Sequence, residues 1–173
     1  MDTITFGSFV RSGNHYFLHM VETGLISVKC EWLSHRISDW DNKTNRVTTI
    51  RHPLECVTSW ISTTADERPD RANKVLEWYV AYYNKVQELG SQIITIPFNR
   101  LINDSLGSIN QVCDHYGLKR SFFSNNDTFS AAFTTDFDFI WANPDKNDYN
   151  QIESDIKESS FYPLATKLFE ELN

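Results

Sequence analysis

Short β-branched runs, each stopped by a tight loop and followed by an amphipathic helical segment, recur along this chain, and that alternation most limits the folds open to it. Thr3 to Phe9 is a β-type run. Arg11-Ser12-Gly13-Asn14 follows, and Tyr16, Phe17, Leu18, Met20 and Val21 then fall at the spacing of a helix packed on a sheet, with Gly24 as its stop. Ile26 to Leu33 reads as a second strand ending at Ser34-His35. After the polar surface connection Asp39 to Lys43, Val47 to Ile50 reads as a third, stopping at Arg51-His52-Pro53. The helix Leu54 to Thr63 comes next, with Pro53 suited to its first turn. Glu67 to Leu89 predicts a long amphipathic helix and Ile93 to Ile96 a strand broken by Pro97. Leu101 to Tyr116 predicts a helix with Leu106, Ile109, Val112 and Cys113 on one face. The expected fold class is therefore α/β: a three-layer sandwich with a central, mostly parallel sheet of four to five strands and helices on both faces.

From Ser121 to Asp148 the pattern weakens, and regular structure is expected again only near Tyr149 to Glu158 and Phe161 to Leu172. A long irregular stretch inside a compact domain is the natural lid or acceptor loop, so 121–148 is assigned that role within a single domain spanning 1–173. At 173 residues, 40% hydrophobic and 14% aromatic, such a chain has the means to fill a core.

The formal charge of −7 argues against nucleic acid or an anionic membrane as partner, since both call for a basic surface. Any anion has to be held locally. The three cysteines, Cys30, Cys56 and Cys113, are far apart and have no metal-ligand spacing, which suits reduced thiols. No apolar run approaches the roughly 20 residues of a membrane helix, and the expected location is cytoplasmic.

Two segments carry chemistry. Gly7 to Tyr16 joins a predicted strand to a predicted helix, where successive backbone N–H groups and the positive helix end form a cradle for a phosphate or sulfate. Gly13 permits close approach, and Ser12 and Asn14 offer side-chain donors; an ordinary helix start would also accept these residues. It is not a Walker A loop, because Asn14 stands where that motif needs lysine. In the second segment, Arg51 at a strand end and Ser59 two turns into the next helix can converge on one phosphate, the guanidinium as a forked cation and the hydroxyl as a donor.

Val10-Arg11-Ser12-Gly13-Asn14-His15-Tyr16 resembles the 5′-phosphosulfate loop of sulfotransferases that use 3′-phosphoadenosine 5′-phosphosulfate (PAPS), where a strand runs into Pro-Lys/Arg-Ser-Gly-Asn/Thr-Thr-Trp. Arg51, Pro53, Glu55 and Ser59 are similar in type and spacing to that family's 3′-phosphate motif. Ile94 to Leu101 resembles a third family segment, in which Phe98 replaces a tyrosine beside the adenine ring, and Ser160 to Leu172 is similar to its closing helix. The resemblance implies a P-loop-like sulfotransferase fold that moves the sulfuryl group of PAPS to an acceptor hydroxyl or amine and leaves PAP, without a metal.

By the same resemblance, Arg11 would stabilise the bridging oxygen, Arg11, Ser12, Gly13, Asn14, His15 and Tyr16 would hold the 5′ end of the donor, and Arg51, Ser59 and Phe98 would hold its other end. His35 would be the base, because imidazole titrates near working pH, with Glu31 as the fallback. The chain departs from the family in having Arg11 where lysine is frequent and His15 where threonine is usual. It also lacks an Arg-Lys-Gly segment near its end. The implied partner is a small-molecule or glycan acceptor, and the aromatics Trp32, Phe122, Phe123, Phe129, Phe133, Phe137, Phe139 and Trp141 are candidates for pocket or core. A small-molecule P-loop kinase and a non-catalytic nucleotide-binding protein are the alternatives; the oligomeric state is not legible.

Overall fold

A computed structural model describes residues 2–33, 35, 40–64, 69–134 and 146–173. Strands β1 (Asp2–Phe6), β2 (Val28–Trp32), β3 (Arg46–Ile50) and β4 (Ile93–Pro97) form one sheet in the order β2-β1-β3-β4. Every neighbouring pair is parallel, with Ile4 opposite Cys30, Phe6 opposite Val47 and Thr48 opposite Thr95. β3 is buried along its whole length, as a central strand covered on both faces must be. The half-exposed β2 is at an edge.

Helix α1 (Asn14–Gly24) returns the chain from β1 to β2, and α2 (Pro53–Thr64) and α3 (Arg71–Leu89) return it from β3 to β4. After β4 come α4 (Phe98–Asn103), α5 (Ser105–Tyr116), α6 (Asn126–Thr134), α7 (Lys146–Glu158) and α8 (Tyr162–Leu172). The core falls into two clusters. One joins Ile4, Phe6, Phe17, Met20, Val47 and Ile96 to Ile109, Val112 and Phe129 of α5 and α6. The other joins Phe9, Ile50 and Val57 to Val75, Tyr79, Tyr82 and Tyr83 of α3 and to Ile156 and Leu168 of α7 and α8. Helices therefore cover both faces of a four-stranded parallel sheet, as the alternation of segments predicts.

Three details differ from the sequence reading. The helix expected over Leu101 to Tyr116 is divided at Asp104, whose carboxylate accepts from the Gly107 amide at 3.1 Å and starts α5 afresh. Helix α6 occupies part of the stretch expected to be irregular; it is opened by Asn125, whose side chain accepts from the Thr128 amide at 2.9 Å. Phe129 of α6 is fully buried, its ring filling the space above Gly24 where a Cβ would come within 2.7 Å. Trp40, expected in a surface connection, is buried against the α3 tyrosines and hydrogen-bonded to Tyr82, so its indole N–H keeps a partner in the interior. Phe137, Phe139 and Trp141 lie outside the described residues. No described helix is long and apolar enough to cross a membrane.

Candidate functional site

Because all four strands are parallel, their C-terminal ends share one edge of the sheet, and each end delivers a residue singled out in the sequence. β1 leads into Arg11 to Tyr16, β2 into Trp32 and His35, β3 into Arg51, and β4 into Phe98. The connections leave the adjacent strands β1 and β3 towards opposite sides of the sheet, and ligands of open α/β sheets bind in the crevice that such a divergence leaves.

The loop after β1 is held in an unusual backbone course. Arg11 has φ 58 and Gly13 has φ 94, both left-handed. A Cβ at Gly13 would come 2.8 Å from Cδ2 of Phe98 and 3.0 Å from a methyl of Leu101, so only glycine fits here for reasons of both conformation and space. Ser12 and Asn14, expected to offer donors outward, have side chains turned into the protein. Ser12 is fully buried, with Oγ 3.4 Å from the Val10 carbonyl and hydrogen-bonded to Tyr83. The Asn14 side-chain oxygen is hydrogen-bonded to the Ser8 hydroxyl. Tyr16 is buried, its hydroxyl 3.0 Å from that of Ser105. These contacts fix the loop from beneath; His15 alone of the four is exposed.

The two basic motifs meet. Arg11 Nε donates to Ser59 Oγ at 3.0 Å, and a terminal nitrogen of Arg51 donates back to the Arg11 carbonyl at 3.3 Å. Arg51 Nε donates to Glu55 Oε2 at 3.0 Å, and its guanidinium carbon lies 4.6 Å from the centre of the Phe98 ring. Two guanidinium groups thus converge, with Glu55 as the carboxylate partner of Arg51 among the described residues, an arrangement able to hold an anion locally in a chain of net charge −7. A small cleft of about 10 Å³, open to solvent, lies beside Arg51 and is lined among others by Arg51, His52, Glu55, Phe98, Asn99 and Phe169.

Beneath the motifs lies a set of tyrosines from α3. Tyr79 donates to the Arg51 carbonyl at 2.9 Å and Tyr83 to the Thr49 carbonyl at 2.8 Å, while Tyr82 is 3.2 Å from the Thr48 hydroxyl. Burial pushes all three phenols above their ordinary value. Burial likewise pushes the Cys56 thiol, one residue past Glu55, up to about 12, which makes it an inert core residue.

On the other side of the β1 loop, His35 is exposed and its Nδ1 is 2.7 Å from the Ser8 carbonyl. A carbonyl can only accept, so this contact puts a proton on Nδ1 and, in the neutral ring, leaves the lone pair on Nε2. Trp32 sits between the imidazoles of His15 and His35, with ring centres 5.7 and 6.3 Å away, and is backed by the edge of Phe6 at 5.9 Å. Glu31, the fallback base, is ion-paired with Lys43. Among the described residues no group of three or more His, Cys, Asp and Glu side chains is placed to hold a metal ion.

No family model matches the chain, and no curated protein matches it. Among solved structures, mouse sulfotransferase SULT7A1 complexed with PAP superposes with a TM-score of 0.54 at 13% identity, over 99% of this chain and 82% of that one. This is a sulfotransferase-like fold.

Within the sulfotransferase-like fold, some of what builds the site escaped the sequence reading. Glu55 entered it as a motif match and proves to be the carboxylate that grips Arg51. His52 caps α2, its Nδ1 accepting from the Leu54 amide at 3.3 Å. The α3 tyrosines read as an ordinary apolar face, and their hydroxyls left no signal of their targets on β3. A tyrosine at a core position is itself a signal that a backbone carbonyl or hydroxyl must lie within its reach.

Proposed function

We propose that this chain is a sulfotransferase that uses PAPS as donor and a hydroxyl or amine as acceptor. The observation that carries the reading is the reciprocal contact between the two motifs, Arg11 to Ser59 and Arg51 to the Arg11 carbonyl, at the crevice between β1 and β3. A nucleotide carrying phosphate at both ends of its ribose matches two cationic groups at neighbouring strand ends. The left-handed conformations of Arg11 and Gly13 and the Phe98 ring beside Gly13 suit it further. Its likeness in fold to a sulfotransferase complexed with PAP supports the same reading.

When bound, PAPS supplies the sulfuryl group: a bond from its sulfur to the acceptor atom forms as the bond to the bridging oxygen breaks, and the electron pair leaves on the phosphate of PAP. The work of the chain's own residues is positioning and electrostatic. Arg11 acts as a clamp on the charge that develops on the leaving phosphate; its guanidinium stays protonated and transfers no proton. Arg51 and Ser59 would hold the 3′-phosphate, and Phe98 would offer its ring to the purine. The Nε2 lone pair of His35 accepts the acceptor's proton, with the Ser8 carbonyl fixing the tautomer.

Thermal denaturation with PAP, ATP-Mg and GTP tests this. PAP at about 100 times its Kd stabilises by roughly 2.7 kcal/mol. At about 2–4 °C per kcal/mol for a chain of this size, the melting temperature rises by roughly 5–10 °C. Arg51→Ala abolishes the rise. Stabilisation by ATP-Mg and not by PAP would replace the reading with a kinase; a PAP complex inert toward every acceptor tried would replace it with a binding protein.

A further inference from the structure

Arg51 is engaged on three sides without any ligand: by Glu55 at Nε, by the Arg11 carbonyl at a terminal nitrogen, and by the Phe98 ring on its face. Only the first contact is local to its own motif. The second reaches into the other loop, to a residue whose left-handed φ of 58 is costly for any side chain larger than glycine and persists only where the surroundings enforce it. Phe98 in turn occupies the space a Cβ at Gly13 would need, two residues further along the same loop. Arg51 is therefore tied to the loop twice, directly at Arg11 and through Phe98 at Gly13.

We infer that Arg51 is a positioning residue for the loop after β1: through the Arg11 carbonyl and the Phe98 ring it holds Arg11 and Gly13 in their left-handed conformations, so that the ordering of this loop depends on Arg51. A residue that served the 3′-phosphate alone would need neither tie. The consequence for donor choice rests on the function proposed above. Loss of Arg51 weakens binding even of a nucleotide that has no 3′-phosphate to meet it, because the loop that takes its 5′ end is then no longer held in place.

The direct test needs no nucleotide. Hydrogen–deuterium exchange of the ligand-free protein is compared between wild type and Arg51→Ala on peptides covering residues 8–14, β3 and α3. Exchange at 11–14 is expected to accelerate about tenfold while β3 and α3 keep their rates, because a latch is local and the fold is not. Millimolar guanidinium ion should slow the loop again by refilling the place between Phe98 and the Arg11 carbonyl. Arg51→Lys, which keeps one donor and loses the planar face, should fall between the two. An unchanged loop rate overturns the inference. So does an acceleration spread evenly over β3 and α3, which would report a loosened fold. Calorimetric titration with adenosine 5′-phosphate provides the second arm: affinity about tenfold weaker in Arg51→Ala is expected, and unchanged affinity overturns the coupling. If the wild-type protein takes up neither PAP nor adenosine 5′-phosphate, the proposed function fails while the exchange experiment still decides the latch.

Discussion

At the ends of β1 and β3, the loops are cross-linked to one another and held from below, while at the end of β2, on the same edge of the sheet, the groups of interest are exposed. Arg11 and Arg51 reach into each other's motifs, Ser12 and Asn14 turn inward, and Tyr79 and Tyr83 hold the carbonyls of Arg51 and Thr49. His35, after β2, is exposed, its Nδ1 anchored on the Ser8 carbonyl; across Trp32, His15 at the start of α1 is the exposed exception on the β1 side. Under the proposed function, the difference corresponds to a division of labour. Electrostatic stabilisation needs fixed charges, since a cation that must reorganise during the reaction loses most of its advantage. An acceptor side serves its substrate through access and shape, and need not be prebuilt to the same degree.

The comparison breaks most readily at Arg11. If the fixed side supplies the catalysis, Arg11→Ala lowers kcat by about 10²–10³, the usual cost of removing one preorganised charge at a reacting centre. Thermal shift by PAP changes far less, since Arg51 and the loop amides remain. Arg11→Lys retains most of the rate, a compact cation being adequate for a point of developing charge. Initial rates with labelled PAPS check this, and a loss of less than about tenfold in Arg11→Ala would mean that the clasp is architecture alone.

The second break is at the open side. His35→Ala should cost about 10² in kcat/KM, the lower end of what a general base contributes. Glu31→Gln should stay within about threefold of wild type, because Glu31 is already committed to Lys43. An inactive Glu31→Gln with an active His35→Ala would reverse the assignment and move the acceptor's proton to the other face of β2.

How much of this contrast the sequence reveals follows from what each signal encodes. Gly13 and Arg51 are legible because a left-handed glycine between strand and helix, and an arginine at a strand end, are defined by backbone position. The inward turn of Ser12 and Asn14 is not legible: their residue types fit an outward donor equally well, and only the packing of Tyr83 and Ser8 beneath them decides. Trp40 misleads for a related reason. Its neighbours Asp39, Asp41 and Asn42 read as surface, and the Tyr82 hydroxyl that makes its burial tolerable is far away in sequence. The alternation of strands and helices depends on local periodicity and is legible almost throughout; the breaks at Asp104 and Asn125 depend on single side-chain caps within polar runs.

The smallest expected effect sharpens the comparison from below, through the tyrosines that hold up the fixed side. Their phenols titrate higher in the folded protein than in the unfolded chain, where the ordinary value is about 10. The folded state therefore keeps protons that the unfolded chain releases, and stability is full below about pH 10 and declines as the pH climbs toward the folded values. Each such group contributes a slope of at most about 1.4 kcal/mol per pH unit. The Cys56 thiol, raised from 9.0 to about 12, adds to the decline from about pH 9 upward. Denaturant unfolding at pH 8 and pH 11 should show this loss in the wild type and a shallower one in Tyr79→Phe. That variant also gives up the hydrogen bond to the Arg51 carbonyl, at a cost of about 1–2 kcal/mol at pH 8. If Tyr79→Phe keeps the wild-type alkaline slope, the Tyr79 phenol does not stay protonated in the fold and its hold on Arg51 is weaker than its geometry implies. If the slope softens and the affinity for PAP falls with it, the rigidity of the donor side is traced to the α3 tyrosines beneath it, and not to the arginines alone.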